Sequence, residues 1–492
     1  MIQPPQIDFS VIGALVVLCV WGIALLLIDA FFIAEGRKRV TGYLAIAGLA
    51  VAALVGLPTW GQSINTFSGM VQLDGFSQTL IWIFLLAAAI TVVISLDYLP
   101  RQGIEQGEYY PLVLFATAGM VLLAQSSNLI VMFLAIELIS IPLYILAGFA
   151  YPRITSEEAA MKYLLLGAFA AGFFVYGLAL LYGQTGTVQL YSVDGGESIA
   201  SYIGRETLVA ENSTLLFAGS ALILITLAFK VALVPFHNWT PDVYEGSPTP
   251  IAAFMSVGTK GAAFAALSRF LLQALPDLQN VWMPILAILA ALTMIVGNIG
   301  ALKQLNVKRM LAYSSVGHAG YITLAVITGT QLGTQAFLFY IFAYTLTNLG
   351  AFAVLIALEK QGETAWSLDD LSGLWHRQPL LASAMAIFML SLAGVPPTLG
   401  FVGKFYVFAA AWEGGLVWLA VIGVITSAIS AFFYLRIIAR MFMHEPTRAE
   451  ETHLSRALTI GLTVAAVAVL LLGLIPTPII ELVNNSLLVA AR

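Results

Sequence analysis

Residues 214–239 read TLLFAGSALILITLAFKVALVPFHNW. The run is apolar and long enough to cross a bilayer, for which about 20 residues suffice at ~1.5 Å per residue. Two features set it apart from an ordinary span. Lys230 stands inside it with apolar residues on both sides, and Pro235 follows closely. Proline removes a helical hydrogen bond and clashes with the preceding turn. A carbonyl freed in hydrocarbon must find a partner, so such a break belongs where protein or water surrounds it. Continued to Asp242, the stretch is too long for one straight crossing.

Runs of this kind recur from end to end. Hydrophobic residues make up 60% of the 492 and charged residues only 10%, where a soluble globular chain carries roughly 25%. The chain is therefore expected to be an all-α polytopic membrane protein with about 14 transmembrane helices. They fall near 10–34, 41–58, 75–98, 110–126, 128–150, 157–183, 214–242, 249–273, 280–303, 308–328, 331–358, 380–411, 413–442 and 455–475. All are read as helices, because neither strand alternation nor barrel spacing is present. The first run is too long for a signal peptide and lacks a basic flank, so it reads as a retained span. The loop 184–213 has no strong periodicity. The loop 359–379 is expected to hold a short amphipathic helix.

Basic residues give the orientation. Alternate connections and their flanks, starting after span 1, hold Arg37, Lys38, Arg39, Arg101, Arg153, Lys162, Lys303, Lys308, Arg309, Lys360, Arg377, Arg436, Arg440, Arg448 and Arg456. The other side holds Arg205, Arg269 and Arg492, and the remaining three lysines lie inside spans. Both termini are thus expected to face outward, away from the cytoplasm.

Span 12 is interrupted as span 7 is, by Gly394, Pro396, Pro397, Gly400 and Gly403, and it too carries a lysine, Lys404. If spans 4–8 and 9–13 are paired off, both breaks are the fourth member of a five-helix block. An odd block length inverts the second copy, as in transporters whose discontinuous helices meet near the midplane. The expected organisation is 1–109 as an N-terminal three-helix segment and 110–273 as the first five-helix repeat. Residues 280–442 form the second, inverted repeat, and 455–492 a C-terminal helix and tail. Prolines are common in transmembrane helices, but two breaks at matching positions, each beside a buried lysine, favour the repeat.

A charge in hydrocarbon costs at least ~2.5–3.5 kcal/mol. Glu137, in VMFLAIELISIPL, and Lys230, Lys260 and Lys404 all carry that cost. Glu137 reads as an ionised partner for Lys230, against a protonated carboxyl bonded to backbone. Lys230 has no helix end within snorkelling reach. Lys260 is flanked by Gly258 and Gly261, which leave room for water or a close helix. Lys404 follows the second break and lies nearer the outer side, where snorkelling competes. Together they suggest titratable sites along which protons or ions move. His237, just after the first break, and His318, in mid-span, are weaker candidates for proton relays against ordinary local hydrogen bonding. Asp29 and Asp97 near helix ends read as solvated, and Glu157, Glu158 and Lys162 as an ordinary helix start.

Cys19 is the single cysteine, so no intrachain disulfide, iron–sulfur centre or c-type haem can be held. No HExxH, GxGxxG or P-loop pattern stands in a suitable place. No redox cofactor, metal or nucleic acid is expected on this chain.

Longer motifs carry a resemblance. PFHNWTPDVYEGSPTP at 235–250, KRMLAYSSVGHAGY at 308–321, LAGVPPTLGFVGKFYVF at 392–408, IELISIPLYILAG at 136–148 and DGFS at 74–77 resemble the antiporter-like membrane subunits of respiratory complex I, in the subunit N type. The resemblance runs over nearly the whole chain, in order. It implies a fourteen-helix, proton-translocating subunit of NADH:quinone oxidoreductase, with the family's helix-5 glutamate at Glu137 and its lysines at Lys230, Lys260 and Lys404. It implies that NADH, FMN and iron–sulfur clusters belong to partner subunits, and that the partners are other membrane subunits, including neighbouring antiporter-like ones, and the lipid bilayer. The three extra N-terminal spans point to a bacterial-type chain. The implied place is the bacterial cytoplasmic (inner) membrane with both termini periplasmic, or a thylakoid membrane if the source is cyanobacterial. On this reading protons come in near Lys230 and Lys260 and leave past Lys404. The alternative is a subunit of an Mrp-type cation/proton antiporter, which shares the fold. WTPDVYEG and KRMLAYSS argue against it.

Overall fold

The computed structural model describes residues 7–192, 195–205, 213–359, 366–446, 456–486 and 488. The helices are α1 (Gly13–Phe32), α2 (Arg39–Gly56), α3 (Gly75–Gln102), α4 (Tyr109–Gln125), α5 (Leu129–Ala147), α6 (Ile154–Thr185), α7 (Ile199–Arg205), α8 (Thr214–Val231), α9 (Trp239–Gly246), α10 (Thr249–Phe254), α11 (Lys260–Arg269), α12 (Gln279–Leu302), α13 (Val307–Ile327), α14 (Gln331–Leu358), α15 (Leu374–Arg377), α16 (Pro379–Ala393), α17 (Leu399–Glu413), α18 (Val417–Met443), α19 (Arg456–Leu474) and α20 (Thr477–Asn484). Among the described residues eleven helical segments are long and apolar enough to cross a membrane, or twelve if the bent pair of α19 and α20 makes one span. The α4 and α16 helices are apolar but shorter.

Burial sorts these helices into a centre and a shell. The segment Thr249–Ala274 is buried except at Leu272, and α13 and α14 are nearly so. A helix that is apolar all round either sits inside the bundle or faces lipid. The shell shows the second case: Val20, Leu27 and Phe31 on α1, Leu165, Phe169 and Tyr176 on α6, and Val421, Ile425 and Phe432 on α18 are exposed.

The central crossing is irregular. Between α10 and α11 the chain makes a π-turn at Met255–Thr259, and a second follows at Phe270–Ala274. Such turns free carbonyls and rotate side chains out of register, and the first ends where Lys260 begins α11.

Both expected breaks are present. The α8 helix stops at Val231 because Ala232 takes a left-handed conformation at φ 63°, and α16 stops at Ala393 because Gly394 does so at φ 83°. The two ends close alike. Leu233 N donates to Ala228 O at 2.8 Å and Ala232 N to Phe229 O at 3.1 Å. Val395 N donates to Leu390 O and Gly394 N to Ser391 O, each at 3.0 Å. This double closure is the Schellman pattern. The peptides Val234–Pro235 and Pro396–Pro397 that follow are cis. The reading of 214–242 as one span thus becomes a helix, a loop and the short helix α9.

Several expectations fail locally. The N-terminal segment holds an antiparallel hairpin, β1 (Ile64–Thr66) and β2 (Val71–Leu73), with Asn65 opposite Gln72. Strands of three residues are too short to show alternation. Among its described residues the loop 359–379 shows no single amphipathic helix. It has a 3₁₀ turn at Leu368–Leu371 and the one-turn α15, separated by Gly373 at φ 63°. Residues 360–365 lie outside the described residues, as do Arg448 and Arg492. Asp29 is not solvated: it is buried, pairs with Lys38 at 2.7 Å and accepts from Thr41 Oγ1 at 2.5 Å. Asp97 stays partly open beside Arg39, at 3.5 Å.

Arg269 departs furthest from its expected place at the outer flank of a span. It is 0% exposed. Its Nη2 meets Asp74 Oδ1 at 2.8 Å, Nε donates to Ala124 O at 2.7 Å, and Nη1 donates to Gln72 Oε1 at 3.1 Å. Asp74 also caps α3, accepting from Ser77 N at 2.9 Å. One buried pair therefore ties the central crossing to the hairpin and to α3.

Candidate functional site

The two breaks place their lysines at comparable electrostatic positions. Lys230 lies in the last turn of α8, and Lys404, on α17, reaches back to the last residue of α16. A helix C-terminus carries roughly half a negative charge, which favours a cation within the last turn. Lys404 Nζ donates to Ala393 O at 2.9 Å and to Ser427 Oγ at 2.8 Å. It lies 5.2 Å from the Tyr321 ring centre and is 4% exposed. It does not snorkel.

Lys230 Nζ donates to Ser140 Oγ at 2.7 Å and has the Tyr144 and Tyr163 rings at 5.9 and 5.8 Å. Ser140 is one turn along α5 from Glu137. Glu137 does not form the expected ion pair. No contact within 4.0 Å joins the two charges among the described residues, and Glu137 Oε1 is buried without a partner. Ser140 takes the lysine's bond and returns its own hydroxyl to Ile136 O, so acid and amine stand apart.

Lys260 is 1% exposed. Its Nζ donates to Ser315 O at 2.8 Å and to Ser315 Oγ at 2.5 Å, with the Tyr244 ring at 5.8 Å. Three residues further along α13, His318 Nδ1 meets Tyr340 Oη at 2.7 Å and Nε2 meets Tyr434 Oη at 3.1 Å. Tyr434 Oη also bonds Ser314. One more turn brings Tyr321, whose Oη contacts Thr426 Oγ1 at 3.2 Å and accepts from Asn298 Nδ2 at 3.3 Å. Ser315, His318 and Tyr321 share a face by their spacing of three. That face leads from Lys260 to Lys404.

An aromatic wall lies between Lys230 and Lys260. Tyr163 stacks on Trp239 at 4.9 Å, and Trp239 meets Tyr244 edge-on at 6.0 Å. Trp239 Nε1 donates to Phe229 O at 3.0 Å, so the short helix α9 closes back onto the end of α8. His237 sits in the loop before α9, half-buried, with Nδ1 unpartnered. No hydrogen bond joins it to a lysine among the described residues. Tyr144 Oη, Tyr244 Oη, Tyr344 Oη and Asn348 Oδ1 are likewise buried without a protein partner. Such groups require water or a mobile neighbour.

Sequence reading missed the hydroxyls. Ser140, Ser315, Ser427 and Tyr321 touch the lysines and Tyr340 and Tyr434 touch His318, and only the run YSSVGHAGY hinted at them. It also missed Arg269 with Asp74. Among the described residues, no group of three or more His, Cys, Asp or Glu side chains is placed to hold a metal ion.

Comparison with known proteins follows the same lines. The profile of the family described as NADH:quinone oxidoreductase/Mrp antiporter, TM matches residues 126–430. The chain is 62% identical to a protein of Chloroflexus aggregans named NADH-quinone oxidoreductase subunit N, over 99% of this chain and 98% of that one. It is 58% identical to NADH-quinone oxidoreductase subunit N 2 of Roseiflexus castenholzii, over 98% and 97%. Among solved structures, a chain of respiratory complex I from Thermus thermophilus with bound aureothin superposes with a TM-score of 0.80 at 39% identity, covering 95% of this chain and 98% of that one. A chain of an Mrp complex from a Dietzia species superposes at 0.82 with 23% identity, over 97% and 96%, a likeness of fold alone.

Proposed function

The chain belongs to the NADH:quinone oxidoreductase/Mrp antiporter transmembrane family, and from that premise we propose that Glu137, Lys230, Lys260 and Lys404 carry protons through it, with His318 as a relay. It is a proton-translocating membrane-arm subunit of NADH:quinone oxidoreductase, a multi-pass protein that works beside other membrane subunits. The Mrp reading has less support. The Mrp chain shares the fold at 23% identity, whereas the complex I chain shares it at 39%.

One observation carries the residue assignment. A single face of α13 presents Ser315 to Lys260, His318 to two tyrosines and Tyr321 beneath Lys404. Buried lysines joined by hydroxyls and an imidazole form a set of sites between which a proton passes by short steps. The unpartnered hydroxyls of Tyr244 and Tyr344 favour water in the same seam. Movement of Glu137 toward Lys230 would stabilise that lysine's charge, and retreat would release it. Redox energy from partner subunits would drive this cycle. FMN and iron–sulfur clusters belong to those partners. His237 has the weaker case, since only its place in the break recommends it.

The proposed frame is fourteen spans, with α4 and the α16–α17 pair each counting as one, and two inverted five-helix repeats over 110–273 and 280–442. The matching closures at Ala232 and Gly394 support it. The segments 1–109 and 455–492 flank these repeats. Both termini are proposed to face the periplasm of a bacterial inner membrane.

The test replaces Lys230, Lys260 or Lys404 by Met in the complete complex, reconstituted in vesicles. Protons moved per NADH should fall in each variant at normal assembly. Unchanged stoichiometry in all three would overturn the assignment.

A further inference from the structure

Two further buried charges take no part in the path above. Lys308, on the first turn of α13, is 0% exposed, and Glu359, which follows α14, is 1% exposed. Lys308 Nζ donates to Ser247 O at 2.7 Å and lies 4.1 Å from the centre of the Trp366 ring. Trp366 Nε1 donates to Glu359 Oε1 at 2.7 Å, and Thr249 Oγ1 donates to the same oxygen at 2.6 Å. Removing two charges from water costs several kcal/mol per ion. Neutral side chains in place of Lys308 and Glu359 would pack against Trp366 and Thr249 at lower cost.

Placement relates the pair to Lys260. Thr249 begins the crossing that carries Lys260. Lys308 precedes Ser315 on α13 by two turns, about 10 Å on the same face. The end of α9 completes the link: Ser247 O receives Lys308, and the Tyr244 ring, one turn earlier, lies under Lys260. Both lysines therefore rest on the same short helix. On the rim, Arg309 pairs with Asp242 at 2.9 Å and Glu245 at 2.6 Å, and these side chains are about one-third exposed. The site thus stands between solvent at the arginine-rich end and a lysine in the core. Arg101, Arg153 and Glu245 are the other charges whose fields reach the pair.

We propose that Glu359 is a proton-loading residue for Lys260, with Lys308 as the positioning cation that sets its charge. The carboxylate takes a proton from water at the arginine-rich end. It passes that proton along the α9 seam to the neutral Lys260 amine and is restored as carboxylate, so one proton enters and one is delivered. This rests on the role of Lys260 given above.

The test uses the whole complex in vesicles, with assembly, NADH oxidation and protons per NADH read together. Glu359→Gln and Lys308→Met should lower protons per NADH as far as Lys260→Met does. Glu359→Gln combined with Lys260→Met should lower it no further. Trp366→Phe keeps the ring over Lys308 but removes a donor to the carboxylate. Because that donor favours the charged form, the pH profile of translocation should move to higher pH while assembly stays normal. A fixed profile in Trp366→Phe, or full stoichiometry in Glu359→Gln beside a defective Lys260→Met, overturns the proposal. Full stoichiometry in Lys260→Met overturns the proton path instead. If Glu359→Gln does not assemble, Trp366→Phe and Thr249→Val decide the matter by the same profile.

Discussion

Replacing Asp74 by Ala separates a buried charge that anchors from one that conducts. Asp74 is 1% exposed and Arg269 is 0% exposed, and their contact is 2.8 Å. The carboxylate does two jobs, neutralising the guanidinium and capping α3 through Ser77 N. Breaking a buried pair by removing one partner costs roughly 3–5 kcal/mol, and loss of an N-cap adds ~1 kcal/mol. Asp74→Ala should therefore cost roughly 4–6 kcal/mol. Asp74→Asn retains a cap acceptor and should cost nearer 3–5 kcal/mol on the same basis. The remaining bonds of Arg269 to Ala124 O and Gln72 are to neutral acceptors and do not replace the lost charge. Asp74→Asn combined with Arg269→Met leaves no buried ion and should recover most of the loss. The assay is the amount of assembled complex on native gels and the half-life of NADH:quinone activity on warming. Whatever complex survives should pump the wild-type number of protons per NADH. Normal assembly of Asp74→Ala with a lowered proton stoichiometry would refute the reasoning and put the pair in the conduction path.

Other substitutions probe the path and its frame. His318→Phe should keep NADH oxidation in assembled complex but lower protons per NADH, because both tyrosine contacts of the imidazole are lost; vesicle pumping measures it. Gly400→Ala would drive a methyl group into the Ser391 carbonyl oxygen, so the two halves of the second break must part, and assembly on native gels should drop. Ala232 stands at φ 63°, where an L-residue bears roughly 1–2 kcal/mol of strain. Ala232→Gly should be tolerated, whereas β-branched Ala232→Val should shorten the half-life at raised temperature.

The spans were legible because hydrocarbon leaves the backbone little choice, and runs such as 331–358 reappear as α14 with the same limits. Breaks were legible for a related reason, since a proline in such a run declares a lost hydrogen bond. The end of α8 at Val231 was not, because Ala232 rather than a glycine adopts the left-handed turn. Lys230, Lys260 and Lys404 stood out by cost alone. Their partners did not, because a serine in a membrane helix most often returns its hydroxyl to its own backbone, as Thr226 and Ser268 in part do here. Arg269, Lys308 and Asp29 were misjudged by position. Near a predicted helix end a charge defaults to solvent, and only tertiary packing shows that the end itself is buried.

The same cost argument that singled out the lysines also applies to Arg269 and Asp74, so burial cannot by itself identify a conducting group. The neighbours distinguish the two cases. Arg269 is met by a full counter-charge and several fixed acceptors, an arrangement in which loss of a proton would strand Asp74. Lys230, Lys260 and Lys404, proposed above to conduct, have no carboxylate within 4.0 Å among the described residues. They rest on serine hydroxyls and aromatic faces, with the Ser315 carbonyl inside α13 for Lys260 and the Ala393 carbonyl at the end of α16 for Lys404. A serine hydroxyl can donate as well as accept, so it serves the amine in its charged and neutral forms alike. A helix C-terminus contributes only a fraction of a charge. Each lysine is thus held by interactions too weak to fix its proton, and a moving charge such as Glu137 can then decide where that proton resides.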